Sequence, residues 1–297
     1  NPVQVTLNWT DHLVYNGKEQ KPTVTATVSD ASFTNVKLIA DVQVVTQPAK
    51  DANLPTGADD ADAKPKYRAF VKKLVDNGSD PALDQNTIDR NFKFDNSEHE
   101  FYITPAGLTV TADNLTKVYR EPDPVLTYKV VGLLGEDTEA DVLTGALTRD
   151  KAGKPEGEDV GVYAVTQGTL AANQNYDMTF VPGTLTIVEK PVKVVNEHVT
   201  ISDVPRTYNG QKHTPEVTVT VDGVVIPSDE YTVTYENNLD AGTAEVILAD
   251  VPGGNYGLTF DNKPTLTFDI LPKEVTLSWS PLTFEYDGKL HVPTCTL

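Results

Sequence analysis

The chain has 297 residues, a formal net charge of −19 and 39% hydrophobic residues. This length exceeds one small domain, and a strongly acidic chain repels nucleic acid and anionic membrane surfaces. Its single cysteine, Cys295, excludes an intramolecular disulfide. We therefore expect several domains held together by packing, a monomer, no nucleic-acid partner and no direct insertion into a membrane.

The first predicted β module covers residues 3–104. Its opening strand alternates apolar residues up to Trp9, which predicts that Trp9 lies in the core rather than on a sugar-binding surface. Tyr15 then begins a Tyr-Asn-Gly turn, since Asn-Gly supplies the positive-φ positions of a tight turn. We prefer a strand over a helix for residues 67–75.

A polar, acidic insertion over residues 49–65 is predicted to be a long loop. Its carboxylates suit a hard cation, so Asp59, Asp60 and Asp62 are the candidate calcium ligands. The spacing departs from that of a calcium loop because Lys64 stands where another acid is expected. A solvated acidic loop without calcium is therefore the favoured interpretation, and no other cofactor is predicted.

The second predicted module covers residues 105–190. It keeps the order of strand, Tyr119, proline and second strand but lacks the Asn-Gly turn. A short helix is allowed by propensity within residues 135–143. The module closes with a hairpin over residues 175–187 that an Asn-Tyr pair opens.

The turn signature recurs in the third predicted module, residues 191–272, and in the start of a fourth, residues 273–297. Tyr208 and Tyr286 are each followed by Asn-Gly or Asp-Gly, with proline seven residues after the tyrosine as in the first module. Strand alternation places Trp279 in the core, as it does Trp9. The short linkers between the predicted modules contain proline, which predicts an extended array of modules.

Two arrangements are compatible with this pattern. The first is an all-β array of tandem small β-sandwich modules of the immunoglobulin-like kind, with alternating strands and regular turn signals. The alternative is a β-grasp-like module with one short helix. The turn occupies the same place in each opening hairpin, which assigns Tyr15, Tyr208 and Tyr286 a folding role.

The second module resembles the MBG domain of bacterial surface proteins. The matching stretches are LTVTADNLTKVY, DPVLTYKVVGLLGED, VGVYAVTQGTL and NYDMTFVPGTLTI. The third module resembles Tyr-Asp-Gly-type repeats through YNGQKHTPEVTV and GNYGLTFDNKPTLTFDI, whereas the first departs through its insertion and its Asn-Phe pair. The resemblance implies a large, secreted, wall-attached bacterial protein, and it implies no catalytic residues.

Residue patterns typical of catalysis are missing from the sequence. There is no Gly-x-Ser-x-Gly elbow or phosphate loop, and the five histidines lack metal-ligand spacing, so we predict no enzyme. The leading hypothesis is a stalk or spacer of an extracellular bacterial surface adhesin. Host glycans or matrix proteins would then bind through other parts of the full protein. The alternative is a glycan- or host-protein-binding module that uses the loops of residues 1–104.

Overall fold

The computed structural model describes residues 1–45, 49–52, 67–95, 97–202, 206–260, 266–280 and 283–297. They form two compact units. The first unit comprises residues 1–116, 123–157 and 162–186, and the second comprises residues 117–122, 158–161 and 187–297.

The beginning of the first unit is built from alternating apolar and polar residues, the pattern of half-buried strands. Its strands are β1 (Val3–Trp9), β2 (His12–Val14), β3 (Val24–Val28), β4 (Leu38–Val44), β5 (Tyr67–Asp76), β6 (Phe92–Lys93) and β7 (His99–Thr104). They form one sheet in the order β2-β7-β5-β4-β3-β1-β6. Strand β5 confirms the prediction of a strand there.

Helix α1 (Gln85–Asn91) precedes β6 and was not predicted. The carboxylate of Asp84 accepts a hydrogen bond of 2.7 Å from the backbone N–H of Thr87 and so caps the first turn. The buried side chain of Ile88 fixes the helix to the core. A single apolar anchor and a cap explain why this helix has little periodicity in the sequence.

The next part of the chain consists of short strands around a second helix. They are β8 (Ala106–Ala112), β9 (Leu115–Val118), β10 (Tyr128–Val131), α2 (Glu139–Val142), β11 (Leu143–Thr144), β12 (Thr148–Arg149), β13 (Gly161–Thr166), β14 (Ala171–Ala172), β15 (Tyr176–Val181) and β16 (Gly183–Val188). The sheet orders are β10-β8-β15, β11-β14 and β12-β13-β16-β9. Helix α2 falls within the segment for which a short helix was considered.

The second unit contains the remaining strands. They are β17 (Lys190–Val194), β18 (Val199–Ile201), β19 (Val217–Val221), β20 (Val224–Ile226), β21 (Tyr231–Glu236), β22 (Gly242–Asp250), β23 (Tyr256–Phe260), β24 (Leu266–Ile270), β25 (Ser278–Ser280) and β26 (Thr294–Thr296). Their sheet orders are β17-β23, β18-β19-β20, β21-β22-β24 and β25-β26.

One pairing recurs along the chain: an entry strand runs parallel to a strand that comes late in the same predicted module. The pairs are β1 with β6, β8 with β15, and β17 with β23. The predicted all-β class is confirmed. The parallel pairs and helix α2 are features of the β-grasp-like alternative, and β2 also runs parallel to β7. Antiparallel ladders such as β1 with β3, β21 with β22 and β22 with β24 are features of a sandwich.

The strands of each opening hairpin pair with each other, but they are separated by long connecting segments rather than two-residue turns. β1 pairs with β3, β18 with β19 and β25 with β26, and the described parts of the connecting segments are residues 10–23, 202, 206–216 and 283–293; the first of these segments contains β2. The turn signature lies inside each connecting segment. The strand-turn-strand prediction therefore holds for the pairing, while the tight turn occupies only part of the segment between the strands.

The two tryptophans have different surroundings. Trp9 is half-buried, packs against the core of the first unit and stacks on His99 at a centroid distance of 4.6 Å. Trp279 is 52% exposed, so the prediction that it lies in a core is wrong for the structure described. The reason is that β25 and β26 form a two-stranded sheet whose residues are all exposed, with no second layer among the described residues.

Candidate functional site

The turn signature has one local geometry wherever it is complete. In the first module the Oδ1 atom of Asn16 accepts a hydrogen bond of 3.0 Å from the backbone N–H of Lys18, and Gly17 has a φ of +76°. The same side-chain-to-backbone bond and positive-φ glycine recur at Asn209-Gly210 and Asp287-Gly288. Such a turn orients the preceding tyrosine without help from distant residues.

The signature tyrosine is also fixed to the end of its own module. The backbone N–H of Tyr15 donates to the carbonyl oxygen of Thr104 at 2.9 Å. Equivalent bonds join Tyr119 to Val188 at 2.9 Å and Tyr208 to Leu271 at 2.8 Å. The backbone of each of these tyrosines is thus fixed where its predicted module ends and the next one begins.

In the first unit this ring meets the Asn-Tyr pair of the following predicted module. The rings of Tyr15 and Tyr176 contact each other edge to face, with centroids 5.4 Å apart. Both hydroxyl groups donate to one carboxylate oxygen of Asp137, each at 2.7 Å, and the Tyr176 hydroxyl accepts from the backbone N–H of Leu134 at 2.9 Å. Tyr15 and Tyr176 are 2% and 5% exposed, and both belong to the continuous hydrophobic core of the first unit.

The asparagine of the same pair clamps a second segment. The Oδ1 atom of Asn175 accepts from the backbone N–H of Ala52 at 2.8 Å, and its amide nitrogen donates to the carboxylate of Asp51 at 2.9 Å. The backbone carbonyl of Asn175 accepts from Ala106 at 3.0 Å. We call the set of Tyr15, Asp51, Ala52, Asn175 and Tyr176 the first joint.

The second unit contains the same arrangement. The rings of Tyr119 and Tyr256 meet edge to face with centroids 5.3 Å apart. Asn255 accepts from the backbone N–H of Val160 at 2.7 Å and donates to the carboxylate of Asp159 at 2.9 Å. Its carbonyl accepts from the N–H of Lys190 at 2.9 Å. We call Tyr119, Asp159, Val160, Asn255 and Tyr256 the second joint.

A buried glutamate positions the Asn-Tyr pair of the second joint. Glu230, 6% exposed, accepts from the backbone N–H of Asn255 at one carboxylate oxygen and from that of Tyr256 at the other, each at 3.1 Å. In the first joint the neutral Asn173 side chain accepts from the Asn175 N–H at 3.0 Å. Each Asn-Tyr pair is therefore positioned by residues of its own module, in addition to its contact with the signature tyrosine.

The tyrosine hydroxyl groups of the two joints differ in their hydrogen bonds and in the charged residue that lies near them. Burial, followed by the hydrogen bond to Asp137, raises the pKa values of Tyr15 and Tyr176. Burial also raises the pKa of Tyr256, but the nearby Arg120 guanidinium opposes this rise. That guanidinium lies 5.5 Å from the centroid of the Tyr119 ring and 5.6 Å from that of Tyr256. The buried Tyr256 hydroxyl has no hydrogen-bond partner among the described atoms.

The candidates named from the sequence fall elsewhere. Asp59, Asp60 and Asp62 lie outside the described residues. No group of three possible metal-ligating side chains occurs in the described part of the chain. Neither described helix, with seven and four residues, is long enough to cross a membrane.

Open recesses occur in both units. One in the first unit, of about 330 Å³, is lined by Glu19, Gln20, Lys21, Val42, Gln43, Val44 and Ala49. Another in the second unit, of about 410 Å³, includes Lys190, Lys193, His198 and Asp222 in its lining. Neither contains a set of catalytic groups in hydrogen-bonding order.

Sequence reasoning missed the joint contacts, although it had recognised their parts. It named the signature tyrosines and the Asn-Tyr pairs, but it gave Tyr15 only a folding role. The missed signal was an acidic residue followed by a small or β-branched one, Asp51-Ala52 and Asp159-Val160. Without spatial information, nothing indicated that these pairs meet the asparagine of the following module.

Fold and joints together define an all-β protein of repeated modules. Residues 108–186 match the family model of the MBG domain, YGX type, a repeat-type domain of surface proteins. The match covers just over a quarter of the chain and includes Tyr119, Asp159, Asn175 and Tyr176. A search of curated protein sequences finds no significant match to the chain.

Proposed function

We propose that the chain is a structural stalk or spacer segment of a secreted or wall-anchored bacterial surface adhesin. The observation that carries this proposal is that two joints are made by equivalent residues in equivalent geometry. A protein whose repeats only present independent binding sites has no need to immobilise successive repeats against each other. A spacer does, because its job is to hold another domain at a set distance.

The chemistry of the joints supports a mechanical rather than a catalytic role. Their polar atoms are used in holding backbone amides: Asn175 and Asn255 each bind an N–H group and a carboxylate of the preceding predicted module. Buried tyrosine rings supply contact area with few rotatable bonds. Hydrogen-bonded asparagine clamps fix the direction in which the rings meet, because an unpaired buried amide is costly.

A replacement experiment in the parent protein tests this role. Residues 1–297 are exchanged for unrelated tandem β modules of similar total length, and attachment of the bacteria to host glycans and matrix proteins is measured. A spacer predicts that attachment is retained with the replacement and falls when the segment is simply deleted. Loss of attachment with the replacement would instead favour ligand binding by the segment itself.

Direct binding by the purified chain is the matching control. The intact chain is applied to glycan and matrix-protein arrays, alongside a Lys21→Glu variant that alters the recess of the first unit. Specific binding that this variant abolishes would contradict a spacer role. An antibody against the chain should label intact cells, and the label should disappear after surface proteolysis.

A further inference from the structure

The third signature tyrosine, Tyr208, has half of a joint, and the described residues contain no second half for it. Tyr208 makes the same backbone bond as Tyr15, in this case to the carbonyl oxygen of Leu271, and Gly210 has a φ of +78° like that of Gly17. As a residue, however, Tyr208 is 39% exposed, whereas Tyr15 is 2% exposed. Within the described residues the side chain of Tyr208 contacts no aromatic ring and makes no hydrogen bond.

A third acidic-small pair lies at the corresponding place. Asp240 and Ala241 directly precede β22, which begins at Gly242, just as Asp159 and Val160 precede β13, which begins at Gly161. Both Asp240 and Ala241 are exposed, whereas Val160 is half-buried.

A backbone hydrogen bond confirms the correspondence with the first joint. The N–H of His213, five residues after Tyr208, donates to the carbonyl of Asn238, two residues before Asp240, at 2.8 Å. In the first module the N–H of Gln20, five residues after Tyr15, donates to the carbonyl of Ala49, two residues before Asp51, at 2.8 Å. Tyr208 and the Asp240-Ala241 pair are therefore held together as their counterparts are.

We propose that Tyr208, Asp240 and Ala241 form a docking surface for the Asn-Tyr pair of a following module, the one that residues 273–297 begin. The tyrosine of that module would pack edge to face on the Tyr208 ring. Its asparagine would accept from the N–H of Ala241 and donate to the carboxylate of Asp240. The surface is defined by joint geometry and would exist whatever the assembled protein does, so this inference goes beyond the proposed function.

The occupant of this docking surface is identified by asking which Asn-aromatic pairs of the chain already have binding partners. Asn175-Tyr176 and Asn255-Tyr256 fill the first and second joints, and Phe92 of the Asn-Phe pair is 6% exposed and packs edge to face on Phe33. The remaining Asn-aromatic pair, Asn8-Trp9, has its ring stacked on His99. Within the described residues a second copy of this chain therefore offers no free Asn-aromatic pair. Residues 273–297, in contrast, repeat the opening hairpin, with β25 and β26 paired and the Asp287-Gly288 turn formed.

The test completes this module with the chain's own sequence. Pro215 and Pro293 both lie seven residues after the signature tyrosine, so Val219 corresponds to Leu297. A chain in which residues 220–272 are appended after Leu297 therefore contains a fourth module with its own Asn-Tyr pair. A blue shift of Trp279 fluorescence reports that the module has folded.

The measured quantity is the rate at which Tyr208 is iodinated in the native chain, located by peptide mass spectrometry. We expect this rate to fall about tenfold on extension, because docking would bury the ring as Tyr15 is buried. The control carries Asn255→Ala and Tyr256→Ala in the appended copy alone, and there the rate should return to that of the unextended chain. Tyr15 serves as a protected internal reference.

A second chain keeps the test decisive if the appended segment fails to fold. In it, residues 1–272 are followed directly by residues 191–297, which supplies the third module again as the fourth. The appended copy carries Tyr208→Phe, so that a single Tyr208 peptide remains to be measured. Unchanged iodination of Tyr208 in a folded chain of either design would overturn the proposal. So would protection that persists in the control with the altered Asn-Tyr pair. Either result would leave the spacer role to be judged by the replacement experiment.

Discussion

The first and second joints share their shape and differ in their charges. Both place one tyrosine edge to face on another and clamp a backbone N–H and a carboxylate with one asparagine. In the first joint, however, Asp137 accepts from both hydroxyl groups, whereas in the second the Arg120 guanidinium lies near both rings. Ring packing and the asparagine clamp are therefore shared by the two joints, whereas the charged residue near the tyrosine rings and hydroxyl groups differs.

Close backbone approach explains why Asp137 reaches the first joint. A Cβ atom built on Gly17 would lie 3.0 Å from both the Cα atom of Gly135 and the carbonyl oxygen of Leu134. The Asn-Gly turn therefore contacts the loop that carries Asp137. The second module has Arg120 and Glu121 where the first has Asn16 and Gly17, so it lacks the glycine of this turn.

The largest expected effect is that of removing a ring from the first joint. Tyr15→Ala leaves a cavity at a site that is 2% exposed and should lower the free energy of unfolding of the first unit by about 3–5 kcal/mol. Urea unfolding followed by Trp9 fluorescence measures this loss. Tyr208→Ala is the matched control and should cost about 1 kcal/mol or less in the second unit, because Tyr208 is 39% exposed. Equal losses in the two variants would contradict the difference between a filled and an open joint.

Replacing tyrosine by phenylalanine separates the hydroxyl groups from the rings. Tyr176→Phe removes the bond to the Asp137 carboxylate and should cost about 1.5–3 kcal/mol of unfolding free energy. Tyr256→Phe removes a buried hydroxyl without a described partner and should be neutral or stabilising. Urea unfolding of both variants checks the contrast, and a comparable loss for Tyr256→Phe would show that its hydroxyl is bound after all.

Alkaline pH should weaken the first joint. The pKa values of Tyr15 and Tyr176 are raised above the ordinary value of 10.0, so the unfolded chain loses these protons first as the pH rises. Their contribution is present below about pH 10 and is lost as the pH rises toward the folded-state pKa values, by up to about 1.4 kcal/mol per pH unit for each group. Because Asp137→Asn removes one cause of the raised pKa values, it should make this loss less steep. Unfolding free energies measured on both sides of pH 10 test this, and equal slopes would exclude a role for the carboxylate.

The smallest expected effect concerns the cation of the second joint. Arg120 is exposed, and Arg120→Ala should cost about 0.5–1 kcal/mol, as expected for a solvent-accessible cation near aromatic rings. Hydrogen exchange at the Tyr119 and Val160 amides, which the joint protects, measures this loss locally. Arg120→Gly removes the same cation but relieves a residue with a φ of +67°, so it should be less destabilising than alanine. Slower exchange in Arg120→Ala would contradict a favourable cation–ring contact.

Local patterns were sufficient to predict the all-β class and the positive φ of Gly17 and Gly210. Strand alternation and Asn-Gly turns depend on neighbouring residues, so they are readable from a single sequence. Helix α1 was missed because a cap at Asp84 and one buried side chain, Ile88, provide too little periodicity.

The parallel pairings and the joints were not predictable in the same way. β8 joins β15 through residues far away in the chain, and Asn175 reaches Asp51 across an even longer separation. Each part of the joint looks like an ordinary turn, loop or strand start by itself. Trp279 shows the converse, since alternation predicted a buried face where the described residues supply no opposing layer.

The parallel entry strands affect how a module would respond to tension. β8 begins its predicted module and runs beside β15 over six residue pairs, from Ala106 beside Tyr176 to Thr111 beside Val181. A force that draws out the start of β8, opposed by one on the far end of β15, loads these ladder bonds together in shear instead of breaking them one after another as in unzipping. Because forced unfolding is governed by the unfolding rate, the direction of pulling would then determine mechanical strength more than equilibrium stability does.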